Sequence, residues 1–580
     1  MTLQCKSYKI VLYFYRKDSY MNNSSSSVSK KKNSSPSQGF SLCNVMVNYF
    51  ILVMFVIFPL FVNLTFDGSF PFLHFDRGYY GIRHQKYYLF MIMGAITVIG
   101  EILLLFTEGS QKIRDKYNLH TRDDALSKLS FTDWAVLAFL FTASVSTIFS
   151  AYKEMAFFGE ITAGSYTHGR NNGLMLFMMY AAVYFLVSRA YRYKEYIFVA
   201  LAITSAFVGL VAVLNCFYID PLNMFERFVD DEKVFKDFIT TFGNKNMYST
   251  YICVTLPVVF TMSVCTEKLV CRIVYLVSAA LSVMAMVVCD SDSAVLGTVA
   301  FLAVLLVIYS RDISKLKKYF LGMTVIFASL KLIGFISKLA NDNHKELSAI
   351  PYKLMQANFT YILLIAAAVI TIVLFLLDFK NPEIKLPKVV PIVLALLMIA
   401  AVVSVLGAMI YFSAIDTKTD LGSLERLLRF NKAWGTHRGV MWIDSMKIFG
   451  DASIFDKLFG SGPESFYYKF QPYFPDLYEF GDGSTDAAHN EYIQYLINLG
   501  ILGLASYLAF TGSALVRGIK AIKSNPIALA YAAPVVAYLV QAFVNISLPI
   551  GTPLFIIFVA MCENAARQNK FELSFLGEKK

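Results

Sequence analysis

Apolar runs long enough to cross a bilayer alternate with short polar segments along most of this chain. A transmembrane helix needs about 20 apolar residues. Runs of that kind fall at roughly 44–65, 87–107, 131–150, 173–189, 196–218, 248–265, 271–289, 293–310, 319–337, 358–378, 388–413, 491–514, 526–547 and 551–565. Their apolar positions are continuous rather than alternating, which argues against a β-barrel, and lone strands in lipid would leave backbone groups unpaired. The expected fold is all-α, a polytopic transmembrane helix bundle of about 14 spans. The pattern breaks at length once, over 412–490, a charged and aromatic-rich segment expected to hold short helices. The division that follows is a disordered basic cytosolic tail at 1–43, an N-terminal transmembrane bundle at 44–413, an external loop at 414–490, and C-terminal transmembrane helices with a short cytosolic tail at 491–580.

Composition agrees. The chain is 57% hydrophobic and 16% charged, against about 25% charged in soluble domains. The net charge of +11 does not point to nucleic acid, because the basic residues cluster in short loops between spans. With the N-terminus inside, the loops at 108–130, 188–195, 266–272, 311–318, 378–388 and 517–524 and the C-terminal tail each hold at least two Lys or Arg. That asymmetry predicts an even number of spans and both termini cytosolic. The loops at 151–172, 219–247 and 412–490 then share the external face. The eight cysteines form no CxxC pair and the seven histidines no metal-binding spacing, so neither a disulfide frame nor a metal site is expected. Lys331 falls inside a span, where a charge either faces a water-filled interior, or snorkels, or marks a span boundary that lies elsewhere, the last two being favoured.

Four groups of residues near the external ends of spans could carry chemistry. Arg438 and Trp442 lie on a short helix expected over 436–449 and share a face, being four apart. A guanidinium there can grip phosphate, or the helix can simply lie amphipathically on the membrane. His489 precedes a span, where a helix N-terminus disfavours the imidazolium and leaves a neutral ring able to accept a proton. Asn490 and Glu491 could orient it, and an interfacial capping histidine is the plain alternative. Gly169 and Arg170, followed by Asn171, Asn172 and Gly173, place a second arginine at a span mouth, either for an anion or as a flanking anchor. Asn244 and Asn246, in the run from Thr241 to Asn246, suit turn and cap roles, with substrate contact as the alternative.

Together these residues resemble the O-antigen ligase and polymerase-like superfamily. The resemblance rests on Arg438 with Trp442, the Gly460-Ser461-Gly462 turn, Ala488-His489-Asn490-Glu491, and the Gly500-Ile501-Leu502-Gly503-Leu504 stretch. Gly169-Arg170 and Phe242-Gly243-Asn244-Lys245-Asn246 extend it towards the N-terminus, so that it spans roughly 130–560. One element departs: Ser291-Asp292-Ser293-Ala294 puts an acid where the family often has arginine.

The resemblance implies a bacterial cytoplasmic-membrane glycosyltransferase of the GT-C type, with 414–490 as its catalytic loop on the external, periplasmic side. Its donor would be a glycan on undecaprenyl diphosphate and its acceptor a hydroxyl of a glycan or glycolipid. His489 would be the base, Arg438 and Arg170 would hold the diphosphate, and Trp442, Asn490, Glu491, Gly460 and Gly462 would support them. No cofactor is implied. A polysaccharide polymerase of the same superfamily shares these motifs. A transporter of the lipid-linked glycan is the alternative of another class, and it would call for broken helices and internal symmetry.

Overall fold

The computed structural model describes residues 38–62, 79–107, 129–163, 166–229, 232–381, 384–481 and 484–576. The disorder expected for the N-terminal tail therefore falls almost wholly outside the described residues. Leu42–Lys580 forms one compact unit by its contacts.

Each of the fourteen apolar runs is a helix: Gln38–Leu60, Tyr79–Thr107, Phe131–Phe149, Leu174–Ala190, Glu195–Cys216, Lys245–Cys265, Leu269–Val288, Asp292–Tyr309, Ile313–Leu339, Phe359–Lys380, Val389–Ile410, Glu491–Ala521, Ala528–Gln541 and Thr552–Leu576. Eleven of the described helices are long and apolar enough to cross a membrane, while Leu174–Ala190 and Ala528–Val544 are shorter. A short antiparallel hairpin, Glu160–Ala163 with Tyr166–Gly169, departs from the all-helical pattern.

Burial is graded across the bundle. Lys245–Cys265 is buried along nearly its whole length. Its hydroxyls face protein partners: Ser249 bonds Ser293 at 2.9 Å, and Thr255 accepts from Ser205 at 3.2 Å. Val389–Ile410 has no buried residue. It is apolar all round, so lipid can cover every face, whereas polar groups inside a bundle need helix neighbours.

Separate polar networks tie opposite ends of the helices. Where Leu174–Ala190 and Glu491–Ala521 end, Asp133 pairs with Arg189 at 3.3 Å and with Arg567, and Glu563 takes Arg517 at 2.5 Å. Asp133 also closes a capping box with Ser130 at the start of its own helix. Where those two helices begin, the hairpin carboxylate Glu160 pairs with His84 at 2.5 Å, and Lys86 donates to the carbonyls of Phe58 and Pro59 at 2.8 and 3.1 Å.

One expectation changes. The span expected over 491–514 is not one continuous helix. Glu491–Ala521 breaks at Gly500, where φ is 71° and ψ −173°. The carbonyls freed by the break are satisfied: Asn498 accepts from the Gly462 amide at 3.0 Å and Ser146 Oγ at 2.8 Å, and Ile497 accepts from the Ser461 amide at 3.3 Å. A break at this depth is tolerated because neighbouring groups take up the backbone. Lys331 follows the snorkelling reading: its Nζ donates to the Met355 and Ala357 carbonyls at 2.8 Å each and lies 4.1 Å from the Tyr361 ring centre.

Candidate active site

His489 sits on a short arch leading into the broken helix. Asn490 is the N-cap, its side chain accepting from the Tyr492 and Ile493 amides at 3.0 and 3.1 Å. On the other side, Ala488 is held twice: its amide donates to Gln494 at 2.9 Å, and its carbonyl accepts from the Trp442 indole at 3.0 Å. Between these anchors His489 adopts φ 49°, a left-handed conformation that costs a non-glycine residue about 1–3 kcal/mol. The ring is half-buried, and neither nitrogen makes a hydrogen bond among the described residues. Burial, then the charges of Arg170 and Arg438, push the imidazole down to about 3 against the opposing pull of Asp486. It is neutral at physiological pH.

Arg438 and Trp442 lie on the helix Trp434–Asp451, whose first residues differ from expectation. Gly435, Thr436 and His437 have φ of 63°, 60° and 67°, so the regular helix starts only at Arg438. That left-handed turn aims the Gly435 carbonyl at Arg438 Nη1, 3.0 Å away. Arg438 Nε is buried with no partner. Burial works against this charge, and Asp292 is the acid that offsets it. Asp292 itself caps another segment, accepting the Ile350 amide at 2.7 Å. The acid at the departure from the family pattern thus faces Arg438 electrostatically while holding a loop.

Arg170 is delivered by the hairpin. Gly159 and Gly169, at φ 83° and 100°, let the strands close: a Cβ on Gly159 would come within 2.4 Å of the Gly173 amide. Asn171 donates to Glu160 at 2.8 Å, and Asn172 to the Ser547 carbonyl at 2.6 Å. The Arg170 guanidinium is ion-paired with Asp486, and its backbone amide donates to Glu464 at 3.1 Å. Burial favours protonation of Asp486, but Arg170, with Arg83 and His489 behind it, holds the carboxyl down to about 2. Glu464 is pushed up to about 7 by burial, despite the pull of Arg170.

His489, Arg438 and Arg170 are thus brought to one end of the bundle from three distant stretches of chain. Gly460 and Gly462 support this region from below, through the broken helix. Asn490 and Glu491 are engaged away from the ring: Asn490 caps, and Glu491 accepts from Tyr507 at 2.6 Å and Tyr538 at 3.0 Å. Asn244 likewise caps its helix, accepting the Asn246 amide at 2.9 Å. Sequence reasoning gave no role to Asp486, Glu464 or Arg83. The available signals were an acid three residues before the candidate base and the Arg83-His84-Gln85-Lys86 cluster just before an apolar run. A cavity of about 20 Å³ lies among Arg170, Glu464, Glu491, Asn498 and Ser547. It is water-sized, so a sugar must sit outside it. Among the described residues, no group of three or more His, Cys, Asp or Glu could hold a metal ion.

The fold and this end-of-bundle cluster define a polytopic helical membrane protein with a basic site built around an unpaired imidazole. Residues 356–508 match the family model described as O-Antigen ligase, and no curated protein matches the chain. The matched segment is similar to an O-antigen ligase domain and holds Arg438, Trp442, the Gly460–Gly462 turn and His489. Arg170 lies outside the matched segment and reaches the site through the fold.

Proposed function

We propose that this protein transfers a glycan from an undecaprenyl-diphosphate carrier to an acceptor hydroxyl, at the external face of the bacterial cytoplasmic membrane, with both termini cytosolic. The observation that carries the reading is the convergence of a neutral, hydrogen-bond-free imidazole with the guanidiniums of Arg438 and Arg170. The acceptor hydroxyl gives its proton to His489 as its oxygen bonds the anomeric carbon. The bond from that carbon to the diphosphate oxygen breaks, and its electron pair leaves on the diphosphate. Guanidiniums placed where that negative charge develops stabilise the transition state. A single displacement inverts the anomeric centre. The leaving group is a lipid diphosphate, so no nucleotide is needed.

The test is product analysis in membranes. His489→Ala and Arg438→Ala should each abolish transfer at normal protein levels, and full activity in either removes the mechanism. The break at Gly500 gives a transporter of the lipid-linked glycan a foothold, since broken helices are common in transporters. Purified protein in detergent, with no second compartment, separates the two. A transferase consumes the donor in the presence of an acceptor and a transporter does not.

A further inference from the structure

The two guanidiniums assigned to the diphosphate are not equivalent. Arg438 makes one hydrogen bond, to the Gly435 carbonyl, and its buried Nε has no partner. Arg170 is ion-paired with Asp486. Asp486 shares the arch of His489, three residues earlier. The arch is fixed on both sides of it: Thr485 Oγ1 donates to the Ala487 carbonyl at 2.8 Å, and Trp442 holds Ala488. The carboxylate therefore has little freedom except to stay on Arg170 or turn from it along the arch.

We propose that Asp486 is a positioning residue that stands in for the donor's diphosphate: it occupies Arg170 in the resting protein, and the arriving diphosphate displaces it to serve His489. This rests on the diphosphate-donor reading above. The charged groups around the imidazole are Arg170 and Arg438, which oppose its protonation, and Asp486, which favours it. Arg83 and Glu464 complete the surround of Asp486 and Arg170. In the resting site the two cations leave His489 a weak base. A bound diphosphate neutralises both and releases Asp486 from its partner. Each change raises the basicity of His489, since a nearby opposite charge moves a pKa by about 1–3 units. The base becomes competent when the donor is in place, and an acceptor arriving first is not deprotonated.

The experiment uses the purified full-length protein in lipid nanodiscs, with undecaprenyl diphosphate as the binding probe. Asp486→Asn removes the competing anion and keeps the side-chain shape. It should bind the probe roughly fivefold more tightly than wild type, about 1 kcal/mol. Its donor-saturated transfer should be slower, with the acid limb of the pH–rate profile moved down by about one unit. Asp486→Glu should restore both. Unchanged or weaker probe binding in Asp486→Asn, or an unmoved acid limb, overturns the proposal. Should Asp486→Asn fail to fold, wild type suffices: the pKa of His489, followed by NMR, should rise when undecaprenyl diphosphate is added and not when undecaprenol is added, and no rise overturns it. Arg438→Ala separates the two levels of the argument. If it binds the probe as well as wild type does, the diphosphate site itself is wrong, whatever Asp486 does.

Discussion

The amide of Gly462 donates to the carbonyl of Asn498 at 3.0 Å, and this bond joins the two glycine motifs into one device. The Gly460-Ser461-Gly462 turn plugs the carbonyls that the break at Gly500 leaves open. Each glycine lies where a side chain cannot. A Cβ on Gly460 would sit 2.2 Å from the Asn498 carbonyl oxygen, and one on Gly500 2.4 Å from the Leu458 carbonyl. Both have φ above 70° with ψ near 180°, a region open essentially to glycine alone. Gly460→Ala and Gly500→Ala should each lower stability by at least about 2 kcal/mol. Gly407→Ala, with nothing within 4 Å of its Cβ, should not. Melting of the three purified variants in detergent checks this.

On the proposed mechanism, Trp442 acts through one hydrogen bond. Its indole holds the Ala488 carbonyl, one residue before His489. Trp442→Phe keeps an aromatic ring beside Phe430 and Trp434, whose ring centres lie 6.1 and 5.1 Å away, but leaves that carbonyl without its donor. The expected result is transfer slowed roughly tenfold, about 1.4 kcal/mol of transition-state stabilisation, with expression unchanged. Steady-state rates in membranes with the two proteins at equal level provide the measurement. Wild-type rates would mean that the arch holds His489 without the indole.

All fourteen helices could be read from hydropathy, because a bilayer sets both the length and the composition of a span. Even Val389–Ile410, which touches little else, was plain from its apolar run. His489, Arg438 and Arg170 each had a plain structural alternative at a span end; what joined them was the shared resemblance, and the structure brings the three together. The acids were not readable. Asp486 and Glu464 gain their meaning from Arg170, some 300 residues away in sequence, and no local pattern encodes that meeting. The break at Gly500 was hidden too, since a glycine in an apolar run looks like any small packing residue. Only its partner turn at 460–462 makes a left-handed residue affordable there.

The far end of the bundle should affect stability and not catalysis. Asp133 is fully buried and accepts from Tyr184 at 2.9 Å and the Ser130 amide at 2.8 Å besides pairing with Arg189 and Arg567. Asp133→Asn leaves two arginines without their shared counter-charge. Breaking a buried pair by removing one partner costs about 3–5 kcal/mol. Arg189 and Arg567 retain some exposure, so a loss nearer 2–4 kcal/mol is expected here. Thermal unfolding should show the loss, while transfer per folded molecule stays at the wild-type value. A selective fall in transfer would tie this network to the site.

Glu464 gives the site a pH-dependent cost in stability. The residue is only 5% exposed, and burial raises its carboxyl pKa from 4.5 to about 7. Between those values the folded protein holds a proton that the unfolded chain has lost. Stability from this group is therefore greatest at low pH and falls as pH rises from about 4.5 to 7. Glu464→Gln abolishes the titration, and its amide oxygen can still accept the Arg170 amide. Relative to wild type, the variant should gain roughly 1–3 kcal/mol on going from pH 5 to pH 8. Paired melting curves at the two pH values measure the difference directly. A gain of the same size at both would place the carboxyl in an environment that ionises normally, and a relative loss at pH 8 would mean that the ionised form is the one Arg170 stabilises.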